Sequence, residues 1–235
     1  MGTSGKLFGI GVGPGDPELL TIKAVRCIQQ ADVIFTAAST KNSYSLALEI
    51  AEPHLSSGTE QIALSFPMTT DRDATTAAWS ENAEKIAQVL KQGRNAAFLT
   101  LGDPVTYSTF GYILKSLETI MPQARIETIP GITSFHAAAA RLNRVLVEGE
   151  ESLLITSGAY GGDNLKDLPP NIQKLVMVKA YKNTKKINAA LKESNFYQNS
   201  VAICQCGRKG EKILTELDEL EERKPDYWTL ILAGK

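Results

Sequence analysis

Histidine and cysteine are scarce, with two of the first and three of the second in 235 residues. His54 and His136 lie far apart, and neither sits in H-E-x-x-H or a similar spacing, so no protein-bound catalytic metal is expected. Cys204-Gln205-Cys206 is one residue short of the C-x-x-C spacing of redox pairs and zinc knuckles. Its neighbours Val201-Ala202-Ile203 read as a buried strand, which makes these cysteines small residues at a strand end. An odd cysteine count does not suit a secreted disulfide framework and points to a reducing cytoplasm. Excess charge is also absent: 25 Lys and Arg against 26 Asp and Glu leave a net charge of -1. That balance argues against binding nucleic acid through bulk charge. No apolar run approaches the ~20 residues of a membrane span. Met1–Lys6 is too short and too polar for a signal peptide. What remains is an ordinary globular composition, 43% hydrophobic and 22% charged, in a chain long enough for one large domain or two modest ones.

Strands and helices alternate through the first half. Short apolar strands are expected at Leu7–Ile10, Val33–Phe35, Gln61–Leu64, Ala96–Leu101 and Arg125–Ile129. Helical spacing covers Leu19–Gln30, Tyr44–Ile50, Ala74–Lys91 (with Ala78, Ile86, Val89 and Leu90 facing inward, and Gly93 as the stop) and Phe110–Ile120. This alternation predicts a mostly parallel, doubly wound sheet. In the second half, strands at Ser152–Thr156, Leu175–Lys179, Val201–Gln205, Glu211–Leu214 and Trp228–Leu232 surround one helix, Asn183–Lys192. Here a mixed α+β sheet is expected. The boundary falls after Pro130-Gly131-Ile132-Thr133, giving an N-terminal α/β domain over 1–133 and a C-terminal α+β domain over 134–235.

A glycine-rich loop, Gly9-Ile10-Gly11-Val12-Gly13-Pro14-Gly15-Asp16-Pro17, follows the first strand. It is neither G-x-G-x-x-G nor a P-loop, because it lacks G-K-[ST] and carries Pro at 14 and Asp at 16. Asp16 is placed to cap the next helix with Pro17 at its first position, and Glu18 follows. Two carboxylates at a helix N-terminus complement its dipole and repel phosphate. The loop therefore suits an uncharged or cationic ligand; a tight turn packed under a neighbouring domain explains it equally well. A common Rossmann methyltransferase would carry an acidic residue after the second strand. Here Asp32 precedes that strand, and Thr36-Ala37-Ala38-Ser39 follow Phe35.

Two further loops follow the fourth and fifth strands: Thr100-Leu101-Gly102-Asp103-Pro104 and Pro130-Gly131-Ile132-Thr133-Ser134. In open α/β sheets ligands bind outside the carboxyl ends of strands. Asp103 can accept from a hydroxyl or ammonium group, or merely start a turn. Thr133 or Ser134 can contact a ligand, or merely cap the helix through Ala137–Leu142. Together the three loops outline a pocket with hydroxyls, amides and one carboxylate, and no phosphate clamp.

On these segments the chain resembles the tetrapyrrole methylase family, whose members use S-adenosylmethionine (SAM) in cobalamin and sirohaem synthesis. The matching pieces are Gly11 to Thr21, Gly102-Asp103-Pro104 and Pro130 to Ser134, in the family's order and spacing. Longer strings resemble the branch acting on C20 of precorrin-2 or cobalt-factor II: Phe66-Pro67-Met68-Thr69, Phe98 to Pro104 with Tyr107 to Phe110, and Ser134 to Leu142. The resemblance implies a two-domain α/β fold, a homodimer, a tetrapyrrole substrate, and SAM held in the cleft between the domains. By motif position it implies SAM contacts at Pro14, Leu101, Gly102, Asp103, Thr106, Thr133 and Ser134, with Lys179 and Gly207 from the second domain. Relatives often carry an apolar residue at position 179, so the Lys179 side chain itself is not expected to make the contact.

The chemistry follows from the reactants. The sulfonium makes its methyl group electrophilic, and the meso carbon of a reduced tetrapyrrole is enamine-like. The protein's main task is then to hold the two in line, about 3–3.5 Å apart, and exclude water. No residue announces itself as the base that removes the C20 proton. Tyr107 and His136 are the candidates, His136 reading first as a helix-packing residue. The acidic substrate calls for cations along its trough; Arg72, Arg141, Arg144, Lys182 and Arg208 are candidates, and each reads equally as a solvated surface charge. Methylases of other tetrapyrrole carbons, of ribosomal RNA or of the diphthamide intermediate, NAD-dependent oxidoreductases and non-catalytic binding proteins are the competing readings. An RNA enzyme should show a basic excess, and an NAD enzyme a G-x-G-x-x-G loop.

Overall fold

The computed structural model describes residues 4–39, 45–67, 69, 71–166, 168–222 and 225–235. Met1–Thr3, Tyr44, Met68 and Asp167, on which parts of the expectations above fall, lie outside the described residues. Backbone proximity divides the chain into two compact units, Met1–Thr133 and Ser134–Lys235.

In the first unit five strands, β1 (Lys6–Gly11), β2 (Val33–Ser39), β3 (Glu60–Phe66), β4 (Ala96–Thr100) and β5 (Arg125–Ile129), form one sheet in the order β3-β2-β4-β1-β5. Every pairing is parallel. Parallel sheets need cover on both faces, so their strands are apolar on both sides. The two-residue period does this directly. Leu7, Val33, Phe35 and Phe98 point to one face, against α3 (Arg72–Lys91) and α4 (Phe110–Ile120), where Ile86, Leu90, Phe110, Ile113 and Leu117 meet them. Phe8, Ile10, Ile34, Ala97 and Leu99 point to the other face, against α1 (Ile22–Gln29) and α2 (Leu46–Ala51). Gly9 leaves room for the Phe110 ring, which a Cβ at that position would meet at 2.1 Å. Buried Asn82 ties α3 to the sheet by donating to the Ser65 carbonyl at 2.7 Å.

In the second unit β6 (Ser152–Ser157), β7 (Ile172–Val178), β8 (Val201–Cys204), β9 (Lys212–Leu214) and β10 (Thr229–Gly234) form a sheet in the order β6-β7-β10-β8-β9. Only β6 and β7 run parallel; the other pairings are antiparallel. Leu175, Met177, Ala202, Cys204, Ile231 and Ala233 pack with Ile187 and Leu191 of α6 (Thr184–Glu193) and Leu220 of α7 (Glu219–Glu222). The unit opens with α5 (Ser134–Arg141).

Several expectations are corrected. The helix expected over Leu19–Gln30 begins at Ile22, because Leu20 and Thr21 are extended. Asp16 caps only a single turn, Pro17–Leu19, by accepting from the Glu18 N–H, whereas the Thr21 hydroxyl caps α1. Thr36–Ser39 are part of β2, paired with Ala63–Phe66 of β3. The residues directly after Phe35 are therefore strand, and the strand's end is Ser39. Ala78 is half-buried, and Asn82, Ala83 and Ala87 complete the inner stripe of α3. The short α7 had no periodic signal.

Candidate functional site

The chain leaves β1 toward α1 on one face of the sheet and leaves β4 toward α4 on the other. Adjacent parallel strands whose connections part to opposite faces open a crevice at their carboxyl ends. The two glycine loops meet there. Gly13 and Gly102 exchange backbone hydrogen bonds, N–H to carbonyl at 3.2 Å and 2.7 Å, and the Val12 N–H donates to the Thr100 carbonyl at 2.9 Å. The loop after β5 closes the group. A Cβ at Gly131 would lie 2.1 Å from the Gly102 carbonyl oxygen and 2.8 Å from Gly11 carbonyl carbon, and a Cβ at Gly11 would lie 2.5 Å from the same oxygen. Three backbones approach here more closely than side chains permit. Gly102 itself has φ +73° and open space where its Cβ would be.

Asp103 locks this arrangement. Its Oδ1 accepts from the Val105 N–H at 2.9 Å and the Thr106 hydroxyl at 3.2 Å, and its Oδ2 accepts from the Gly131 N–H at 3.1 Å. The residue is buried, and its carboxylate joins the loops after β4 and β5. Asp103 therefore shapes the site through the protein's own backbone, a role beyond starting a turn. Thr106 is held by the same oxygen, and Pro14 is buried beside the Gly13–Gly102 bridge in sequence. The hydroxyl of Thr100, the last residue of β4, is buried and has no hydrogen-bond partner among the described residues. Tyr107 takes a left-handed φ of +51° and is half exposed. Such strain in a non-glycine residue persists where surroundings enforce it, commonly at functional sites.

No Lys or Arg occurs in residues 12–17, 101–109 or 130–133, whereas Asp16 and Asp103 do. The crevice is thus suited to a neutral or cationic group. The glycine cradle, the open side of Gly102 and the orphaned Thr100 hydroxyl fit a cationic cofactor such as SAM.

The other candidate cofactor contacts belong to the end of the loop after β5 and to the second unit. Thr133 ends the first unit and Ser134 begins α5; both are half-buried. In the second unit Lys179 and Gly207 follow β7 and β8, with left-handed φ of +57° and +73°. The Gly207 N–H donates to Glu211 Oε2 at 2.9 Å. His136 is exposed on α5, its ring 4.7 Å from that of Phe135, and is not a core-packing residue. The five candidate cations separate clearly. Arg141 pairs with Glu211 at 2.8 Å. Arg144 donates to the carbonyls of Leu232 and Asn199 and is a structural clamp. Arg72 is exposed at the start of α3. Lys182 lies over the Tyr181 ring, and Arg208 over the Trp228 ring. All three cysteines are buried. Burial, with Glu211 nearby, pushes the Cys206 thiol up to about 11, so it is no nucleophile at neutral pH.

Sequence reading missed the Thr100 orphan, the strained Tyr107 and Gln205, and the Arg208–Trp228 stack. The first needs the burial of one atom, the second backbone angles. The third joins residues twenty positions apart that only the sheet brings together.

A parallel-sheet unit whose three glycine loops meet at the strand ends, followed by a mixed-sheet unit, defines a two-unit α/β protein. The family model for tetrapyrrole (corrin/porphyrin) methylases matches residues 6–221. The chain is 30% identical over 233 residues to the cobalt-precorrin-2 C(20)-methyltransferase of Salmonella typhimurium, covering 99% of this chain and 97% of that protein. It is also 30% identical to the precorrin-2 C(20)-methyltransferase of a Sinorhizobium species, covering 97% and 95%. The fold matches that of uroporphyrin-III C-methyltransferase from Thermus thermophilus, solved with S-adenosylhomocysteine, with a TM-score of 0.70 at 21% identity, covering 98% of this chain and 92% of that one. The chain belongs to the tetrapyrrole methylase family, whose methyl donor is SAM.

Proposed function

We propose that this protein transfers a methyl group from SAM to C20 of precorrin-2 or of its cobalt-containing counterpart, a step in cobalamin biosynthesis. The observation that carries the choice of carbon is the full-length similarity to two relatives named for that activity. When bound, SAM supplies the electrophilic methyl group. The residues proposed to hold it are Pro14, Leu101, Gly102, Asp103, Thr106 and Thr133, with Ser134, Lys179 and Gly207 from the second unit. Gly102 offers backbone without a side chain in the way. The Thr100 hydroxyl, buried and unpaired, is added as a further contact. Asp103 keeps the loops in place while its carboxylate and that of Asp16 favour positive charge.

Catalysis then rests on positioning and exclusion of water. Asp103 moves no proton, because its oxygens are committed to Val105, Thr106 and Gly131. Cobalt, where present, belongs to the substrate macrocycle, whose own nitrogens hold it. A homodimer in the cytoplasm completes the proposal.

Anaerobic incubation of SAM with precorrin-2, with cobalt-factor II and with tetrapyrroles already methylated at C20 tests the reading. One methyl added to either of the first two, and none to the third, is expected. Transfer only to the third group would move the activity to another carbon. His136→Ala and Tyr107→Phe are expected to keep turnover within about tenfold of wild type, far short of the 10²–10⁴-fold that general-base loss costs. Loss of turnover in either variant with SAM binding intact would identify a base and refute catalysis by positioning alone.

A further inference from the structure

We propose that Arg208, held on the face of Trp228, is a carboxylate anchor for a ligand of this enzyme, an inference that rests on the tetrapyrrole methylase reading above. The guanidinium carbon lies 4.5 Å from the centre of the Trp228 ring. Its Nη1 is enclosed and donates to no acceptor among the described residues, although Arg208 as a whole is half exposed. A guanidinium with an enclosed, unpaired N–H is costly unless an acceptor arrives.

No carboxylate among the described residues takes that place. Glu211 Oε1 accepts from Arg141 Nε at 2.8 Å and its Oε2 accepts from the Gly207 N–H at 2.9 Å. Asp226 accepts from the Gln205 side chain. Glu211, three residues after Arg208, and Asp226, two before Trp228, thus have other partners. The loop bearing Arg208 is itself fixed. The Arg208 N–H donates to the Gln205 carbonyl at 3.0 Å, and the Glu211 N–H donates to the Arg208 carbonyl at 2.9 Å. Gln205 and Gly207 hold left-handed φ of +52° and +73°. The other side of the stack is fixed too, because the Gln205 N–H donates to the Trp228 carbonyl at 3.1 Å and the Tyr227 ring meets the Trp228 ring edge-on. A planar, five-donor fork resting over an indole is suited to a carboxylate, as a lysine is not.

Among the five candidate cations, Arg208 combines a place over an aromatic ring with an enclosed, unpartnered donor. The ligand chemistry is a carboxylate, present on the acid side chains of the tetrapyrrole and on the methionyl end of SAM. The two sources separate experimentally. Wild type and Arg208→Gln are titrated with SAM by calorimetry. They are titrated separately with cobalt-factor II in a Trp79→Phe background, where Trp228 is the sole tryptophan reporter. KM and kcat are measured in parallel.

If the tetrapyrrole supplies the carboxylate, R208Q raises its Kd and KM about tenfold or more, leaves the SAM Kd within twofold and changes kcat little. If SAM supplies it, the SAM Kd rises instead. In both cases Arg208→Lys recovers only part of the affinity, and Trp228→Leu, which removes the stacking face and is read by KM for the tetrapyrrole and by calorimetry for SAM, weakens binding of the same ligand. Unchanged affinity for both ligands in a folded R208Q protein overturns the assignment alone. A wild-type protein that binds neither ligand overturns the methylase reading and the anchor with it.

Discussion

Replacing Gly131 with alanine tests the idea that the cradle depends on three backbones in contact. The added methyl would sit 2.1 Å from the Gly102 carbonyl oxygen and 2.8 Å from the Gly11 Cα. Both neighbours are backbone atoms, so relief requires one loop to move as a whole. Forcing an extra methyl into packed structure costs about 1–3 kcal/mol. Displacing the Gly131 N–H from the Asp103 carboxylate adds about 1.5–3 kcal/mol for a hydrogen bond to a charged group. A combined loss of about 2.5–6 kcal/mol lowers Tm by roughly 5–24 °C in a chain of this size.

The control is Gly111→Ala, on α4, where a Cβ meets nothing within 4 Å. Alanine there is expected to leave Tm unchanged or raise it slightly, because it lowers the entropic cost of the helix. Differential scanning fluorimetry reads both variants, and calorimetric titration of G131A with SAM reads the site. A G131A protein melting within 2 °C of G111A, about the shift of 1 kcal/mol or less, would refute the close-contact reasoning. Normal SAM affinity in a destabilised G131A would separate the cradle from the cofactor site.

Other expectations follow from single contacts. Asp103→Asn keeps the shape but turns one acceptor oxygen into an NH2 group facing a donor. A loss of about 1.5–3 kcal/mol is expected, with weaker SAM binding; unchanged urea midpoints would contradict it. Glu127 bridges Lys6 and Lys23, and their ammonium groups hold its carboxyl down from the ordinary 4.5 to about 2. A depressed carboxyl stabilises the fold above its unfolded value, and that contribution is lost as pH falls toward the folded one. The Tm difference between wild type and Glu127→Gln should therefore be larger at pH 7 than at pH 2.5, and an equal difference at both would contradict the pairing. All three thiols are buried, so a disulfide-exchange reagent at pH 8 should label none quickly until urea is added. Rapid labelling of Cys206 in the native protein would contradict its placement.

Much of the fold was legible because parallel strands buried on both faces leave continuous apolar runs, and helices between them keep a 3.6-residue period. The ranges Phe110–Ile120 and Arg125–Ile129 were read to the residue. Errors came where capping competes with periodicity. Leu19 and Leu20 fit the apolar stripe of α1, yet the Thr21 hydroxyl, accepting from the Ala24 N–H at 3.1 Å, starts the helix later. β2 runs on through Thr36–Ser39 because pairing with β3 overrides the polar composition of its end. At the site, the glycines were visible as candidates, and their purpose was not. That Gly11 and Gly131 meet one carbonyl oxygen depends on β1 and β5 being neighbours, a long-range fact. Asp103 was visible as a hydrogen-bond acceptor, but its partner Gly131 is 28 positions away.

The most direct test of the central claim uses SAM carrying a carbon-13 methyl group. The purified protein is incubated anaerobically with precorrin-2 and, separately, with cobalt-factor II, and the labelled product is examined by NMR and mass spectrometry. One labelled methyl per macrocycle, bonded to the C20 meso carbon of at least one substrate, is the expected result. A label on any other carbon, or SAM bound without transfer to either macrocycle, would contradict it.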